Sequence, residues 1–428
     1  MKKYLISLQV GFFLAFRQIK RASIGTTVLI IFIMTLTFLN LVVVNGILVG
    51  LLTGSYEQFR DRYSGDILIT PQERIANIEK SQTLVSLAKS LGGVEAVSAR
   101  TVVSGKIRAD LGQNPSGKES PNENGGSVVG IDPEDEEKVT GLSDLVLEGK
   151  ALEPGDEGYI LVGASLIKEY SNFADANFPG FTILRGVKVG DKVRLTINGS
   201  QNGSAVQISK ELIVKGIIKS KVDQVSQRSF VLDSELRKLT QNIDLNVQEI
   251  AIKTSVPDTG EILFALKSQT DLSKVRVQTY KEAIPSFLRD IESTFGVLGN
   301  VIGGIALVVA SITIFIVIFI NAVTRRKYIG ILKGIGISAR AIETAYIFQA
   351  IFYGLTGSIL GFGLVFLFLK PYFDQNPLDF PFSDGILAAS VSGSLARAGV
   401  LMLITLLAGF IPARIIVKKN TLDSILGR

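Results

Sequence analysis

The sequence predicts a polytopic α-helical membrane protein with four transmembrane helices and a large α+β extracytoplasmic domain between the first and second. Three observations lead there. Four apolar runs reach the length, about 20 residues, that crosses a hydrocarbon core of ~30 Å. Mean hydropathy is +0.37 and 47% of the 428 residues are hydrophobic, more than a soluble chain of this size carries. Lysine and arginine gather in short segments next to the apolar runs, while the long polar stretch between the first two runs is acidic on balance.

Residues 1–25 hold five Lys/Arg and no acid. The apolar piece Tyr4 to Phe16 is too short to span and is followed by "RQIKR", which predicts an amphipathic entry helix lying in the cytoplasmic interface. Lys2 and Lys3 also suit a signal peptide, but no small-x-small cleavage site precedes the next apolar run. The spans are read as 26–52, 295–323, 341–369 and 398–417, with a cytoplasmic loop at 324–340, a short outer loop at 370–397 and a cytoplasmic tail at 418–428. Residues 324–345 carry five Lys/Arg against Glu343, and the tail after Pro412 carries four against Asp423. The positive-inside rule therefore puts both termini in the cytoplasm of a cell-membrane protein and residues 53–294 outside. The net charge of +6 reflects this topology, and no nucleic-acid partner is expected.

Within 53–294, "GDILIT" (Gly65 to Thr70) reads as a strand, and Pro71 opens a helix-like stretch to Leu91. "VEAVSARTVVSGKIRAD" alternates as strands do, and "VQEIAIKT", a helix from about Asp258 to Gln269, and "KVRVQTY" repeat the β-α-β order. These halves flank a β-rich insertion at about 111–222. It opens on the loop-like Leu111 to Ser127 and continues with short β-like runs. "DPEDEE" (Asp132 to Glu137) lacks the spacing of a calcium loop and is read as a solvated helix N-terminus. The "NGS" triplets at Asn198 and Asn202 match the glycosylation acceptor, but in a glycine-rich hairpin they read as turn formers. "QTYKEAIPSFLRDIEST" runs into the second span and predicts a stalk, with "GSYEQFRDRYSG" as its partner.

The composition closes several chemical routes. With no cysteine and no histidine there is no disulfide, thiol nucleophile, Ser-His triad or histidine-zinc site, so no catalytic, cofactor-binding or metal-ligating residues are assigned. No Asp, Glu, Lys or Arg lies at the centre of a span, which argues against an ion-coupled relay. No G-x-x-x-x-G-K-[ST] occurs, so the chain is expected not to be an ATPase itself. "GIGISA" (Gly334 to Ala339) matches a dinucleotide fingerprint, but that motif needs a preceding strand, and spans lie close on both sides.

The loop between the second and third spans is the candidate functional segment. Charge alone explains Arg325, Arg326, Lys327, Lys333 and Arg340, but it leaves Gly330, Gly334, Gly336 and the apolar Ile329, Ile331, Leu332, Ile335 and Ile337 unexplained. A short helix with an exposed apolar face, bounded by cations and a glycine turn, is suited to docking in a groove of a cytoplasmic partner. The pairs Gly46/Gly50, Gly299/Gly303 and Gly357/Gly361 are GxxxG motifs, expected to let helix backbones approach.

"RRKYIGILKGIGISARAI" resembles the cytoplasmic loop of the FtsX-like, MacB-type ABC transporter permeases, which include macrolide-efflux and lipoprotein-releasing permeases. "LAFRQIKR", "VVGIDPEDE", "GYILVGASLIKEY", "VGDKVRLTI", "IVKGIIKS" and "IPARIIVKKNTLDSIL" extend the similarity over essentially the whole chain, and the outer segments look most like the lipoprotein-releasing branch. The family usually has Glu where this chain has Tyr328, and Asp-Pro where it has Asn420-Thr421. The resemblance implies that the loop carries a coupling helix for a separate cytoplasmic ABC ATPase, which binds the ATP and magnesium. It also implies a second permease copy or paralogue, membrane lipids as surroundings, an optional periplasmic adaptor or carrier, and force transmission to the outer domain. The output would be export or extraction of a lipoprotein, lipid, peptide or amphiphilic drug. Activation of a cell-wall hydrolase is the regulatory alternative, and an ATP-independent receptor or adhesion protein is a third.

Overall fold

The computed structural model describes residues 2–110, 121–171, 183–201, 204–241, 244–380 and 383–418. Leu111 to Ser120 of the loop-like segment, Asn202 and the Asn420-Thr421 pair lie outside the described residues. Along the chain, α1 (Lys2–Lys20) is followed by α2 (Ile24–Leu39), a π-helical turn (Asn40–Val44), α3 (Asn45–Phe59) and a second π-helical turn (Arg60–Ser64). Then come β1 (Ile67–Pro71), α4 (Ser81–Ser90), β2 (Val94–Arg108), β3 (Glu123–Ile131), α5 (Pro133–Thr140), β4 (Val146–Gly149) and β5 (Tyr159–Gly163). The long hairpin β6 (Lys192–Gln201) and β7 (Ser204–Ile218) leads to α6 (Asp223–Ser226), β8 (Arg228–Leu232), α7 (Asp233–Thr240), β9 (Glu249–Thr254), α8 (Gly260–Ser268), β10 (Val275–Thr279) and α9 (Tyr280–Ala283). The chain closes with α10 (Ser286–Thr324), α11 (Arg326–Gly334), α12 (Ala339–Leu364), α13 (Lys370–Gln375), β11 (Leu378–Phe380), β12 (Ser383–Gly385) and α14 (Val391–Val417). Two compact units result: an apolar helical unit (Met1–Thr53, Phe287–Phe380 and Asp384–Arg428) and an α/β unit (Gly54–Ser286 with Pro381–Ser383).

Among the described residues four continuous helices are long and apolar enough to cross a membrane: Ile24–Ser64, Ser286–Thr324, Ala339–Gln375 and Val391–Ile415. α1 lays its small residues on α12; a Cβ added at Gly11 would sit 2.8 Å from the Thr344 Cβ. Ser7 meets Ser338 at 3.2 Å, and Gln349 donates to Gln18, so α1 runs parallel to about three turns of α12. Its Leu5, Ile6, Phe12, Phe13 and Phe16 side chains are left exposed.

The glycine pairs divide into two kinds. Gly357 lies against Met34 and Thr35, and Gly361 against Phe38, joining α12 to α2 within one chain. Gly299 and Gly303 of α10 face Asn45 and Leu41. Gly46 and Gly50 do not meet a helix: they face the extended segment 386–388, where the Ala388 amide donates to the Gly46 carbonyl at 3.0 Å. A Cβ on Gly50 would stand 1.9 Å from the Ile386 carbonyl oxygen. The short loop after the third span folds back on α3, which GxxxG spacing does not anticipate.

In the α/β unit one sheet runs in the order β10-β1-β9-β2-β3-β8-β5-β7-β4, with β6 pairing both β2 and β7. β2 joins two cores. Its first half pairs with β9 over the core of Ile67, Ile69, Ile250, Ile252 and Leu266, and its second half pairs with β3 and β6 over that of Ile107, Val162, Leu195, Val214 and Leu236. β1, α4 and β2, and again β9, α8 and β10, run in β-α-β order, and the second core draws on residues past 222. β8 pairs in parallel with β3, and Val231 and Leu236 complete the second core.

Three local readings change. Pro71 ends β1, and helix begins only at Ser81. Between them Ile78 bonds to the Val247 carbonyl at 2.8 Å, while Arg74 and Lys80 hold positive φ of 70° and 54°. Asn198 is paired with Gln207 inside the hairpin and is not part of its turn. The stalk segment breaks at Ile284 and Pro285, after which α10 runs unbroken.

Candidate functional site

α11 sits between two span-forming helices, and its sequence explains both its ends. It closes on a glycine turn: Gly336 has φ of +94°, its amide donates to the Lys333 carbonyl at 3.1 Å, and the Ile337 amide reaches the Leu332 carbonyl at 3.0 Å. Leu332 and Ile337, the residues flanking this cap, pack on the same apolar cluster of the bundle. Ser338 then caps α12, accepting from the Ala341 amide at 3.3 Å.

The helix has two faces. Ile329 and Gly330 are buried, Leu332 is half-buried, and Lys333 Nζ donates to the Val417 carbonyl at 3.0 Å, which ties α11 to the end of α14. Tyr328, Ile331 and Ile335 point outward at 69%, 52% and 72% exposure, and their i, i+3, i+7 spacing makes one stripe. Lys327 and Arg340 are exposed beside it, Gly334 and Gly336 are open, and Arg325 and Arg326 are half-buried. Tyr328 thus stands in the outward apolar stripe. A helix precedes "GIGISA", so the segment is a helix cap without the strand a dinucleotide fold requires.

A second polar constellation escaped the sequence reading. Asp132 caps α5 as expected, accepting from the Glu134 and Asp135 amides, yet Glu136 is only 2% exposed. Arg100 of β2 forks onto it with two 2.8 Å bonds, and Ser98 and Thr140 donate to the same carboxylate at 2.6 and 2.9 Å. Arg100 also reaches Glu249 of β9 at 3.5 Å and the Tyr63 carbonyl at 2.7 Å. Arg228 of β8 bonds Glu249 at 3.0 Å. The guanidiniums of Arg100 and Arg228 stand 5.1 and 5.2 Å from the Tyr63 ring. Burial alone would push the Glu249 carboxyl up; Arg228 and Arg100 overcome this and hold it below the usual carboxylate range. Burial likewise opposes charge on Arg100, and Glu136 and Glu249 raise its pKa above the ordinary arginine value. The one available signal was Arg100 at an inward position of an alternating strand.

A cleft of about 580 Å³ lies nearby, lined by Arg60, Arg62, Asp66, Glu137, Asp144 and Lys253. Arg62 pairs with Asp144 at 3.1 Å, Glu137 accepts from Ser143, and Asp66 accepts from Thr254, so the cleft offers no single sign of charge. Among the described residues no cluster of three carboxylates is placed to hold a metal.

A protein-family model described as FtsX-like permease C-terminal matches residues 300–421, the region that contains α11. Over these residues the chain is similar to the FtsX-like permeases. An uncharacterized ABC transporter permease of Methanocaldococcus jannaschii is 27% identical over 256 residues, covering 57% of this chain and 59% of that relative's length. Among solved structures, the periplasmic region of MacB from Actinobacillus actinomycetemcomitans has a TM-score of 0.33 and 14% identity, over 51% of this chain and 91% of that one. The extracellular domain of the noncanonic ABC-type transporter YknZ from Gram-positive bacteria has a TM-score of 0.29 and 15% identity, over 50% and 97%. With four helices among the described residues long and apolar enough to cross a membrane, the chain is a multi-pass membrane protein.

Proposed function

We propose that this chain is the membrane (permease) subunit of an ABC-type transporter that receives force through α11 from a separate ATPase subunit, which binds the nucleotide and magnesium. The observation that carries the reading is the two-faced helix: Ile329, Leu332 and Lys333 fasten it to the bundle, while Tyr328, Ile331 and Ile335 present an apolar stripe flanked by cations. In this reading the termini and α11 are cytoplasmic and the α/β unit is outside, because the basic segments flank the same ends of the spans. The work delivered outside is export or extraction of an amphiphile: a lipoprotein, lipid, peptide or drug. The chain acts with a second permease copy or paralogue.

The test is co-purification with a co-expressed ATPase encoded beside the gene. Arg326→Glu combined with Ile331→Asp should abolish capture and ATPase stimulation while the chain still inserts and folds; intact capture overturns the docking assignment. Lys150→Cys, in a chain with no other thiol, should react with an impermeant reagent in cells whose outer barrier is opened; protection there overturns the orientation.

A further inference from the structure

α1 packs one side on α12 and leaves the rest of its surface uncovered. Gly11 is buried against Ala341 and Thr344, and Phe12 meets Phe348 edge-on with ring centroids 5.4 Å apart. Away from this seam, Ile6, Phe13 and Phe16 are exposed. Ile6, Phe13, Arg17 and Lys20 stand at i, i+7, i+11 and i+14, which is one line along the helix. Arg17 holds its guanidinium over the Phe13 ring at 5.5 Å, so apolar and cationic groups form one surface. The Arg21 amide donates to the Arg17 carbonyl at 3.1 Å and continues the turn past the end of α1. Arg17, Lys20 and Arg21 are exposed, and among the described residues none of them joins an ion pair.

Residues 1–25 contain no acid that could neutralise these cations. The exposed apolar surface resumes at once on the first span, at Ile24, Val28, Leu29 and Phe32. Unpaired cations therefore interrupt a surface that otherwise suits acyl chains. Positive charge beside hydrocarbon is costly unless a counter-charge meets it, and long Lys and Arg side chains reach out to headgroups from such places. A leaflet of anionic phospholipid offers negative phosphates next to hydrocarbon, the complement of cations next to phenylalanines. A zwitterionic headgroup would leave the positive charge uncompensated.

We propose that Phe13, Phe16, Arg17, Lys20 and Arg21 form a binding site for anionic phospholipid, with an acyl chain on the rings and the phosphate among the cations. The chain has no tryptophan, so Phe13→Trp places a single reporter on this face. The full-length variant is reconstituted in vesicles of equal parts phosphatidylcholine and phosphatidylglycerol, with bromine on the acyl chains of one lipid or the other. Brominated phosphatidylglycerol should quench the reporter at least about twofold more strongly than brominated phosphatidylcholine, because each cation adds attraction to anionic lipid. Arg17→Gln, Lys20→Gln and Arg21→Gln together should equalise the two lipids while quenching itself persists. If Phe13→Trp does not fold, Phe16→Trp carries the same expectation. Equal quenching in the reporter with all three cations means lipid contact without headgroup selection, and overturns the site. Absence of quenching means that protein covers the face and overturns it too, as does a preference that survives the triple substitution. None of these outcomes depends on the ATPase or on which side of the membrane the termini lie.

Discussion

Lys333 Nζ lies 3.0 Å from the carbonyl oxygen of Val417, so one cation of the α11 segment is committed to the last turn of α14. Lys333→Met should loosen α11 by about 1 kcal/mol, the usual net worth of such a bond, and raise amide exchange at residues 326–334. Arg326→Glu should leave that exchange unchanged. Equal effects of the two substitutions would mean that the cations share one role.

Gly50→Ala should destabilise the helical unit by about 1–3 kcal/mol, because the new methyl enters the space of the Ile386 carbonyl. Gly304→Ala, on an open face of α10, should stay within about 0.5 kcal/mol of the parent. Thermal unfolding in detergent compares them directly.

Arg100→Met should cost the α/β unit about 3–5 kcal/mol, since it strands the buried Glu136 carboxylate. Adding Glu136→Leu should recover much of the loss, because an apolar pair of similar volume needs no partner. A double variant as unstable as the single one would show that shape, and not charge, governs this position.

Glu249 titrates below its ordinary 4.5 in the folded chain. Its ionised form therefore adds stability above about pH 4.5, and that contribution disappears as the pH falls through the lower, folded-state value. Denaturation of the α/β unit should be insensitive to this group from pH 7 to 5 and weaken on further acidification. Glu249→Gln should flatten that part of the profile.

Much of this was readable from residue order. Apolar runs of sufficient length gave the four helices, alternation gave β2 and β9, and Gly336 with Ser338 marked the end of one helix and the start of the next. The reading failed where the deciding partner is remote in sequence. Gly46 and Gly50 carry helix-packing spacing, but their partner is an extended segment more than three hundred residues away. Glu136 sits in an acidic run typical of a solvated helix start, and its burial is made tolerable by the charge of Arg100 and the hydroxyl of Ser98, both brought over it by β2, together with Thr140. The exposure of Tyr328 likewise depends on which side of α11 faces the bundle, set by Leu332 and Lys333 and not by local composition.

The fit of Gly50 against Ile386 makes two distant stretches of the gene answerable to each other. A side chain at position 50 can be accepted only if the backbone at 386–388 takes another course, so the two should change together among relatives of this chain. A relative with alanine or serine at the first place is expected to carry a loop of different length or path at the second.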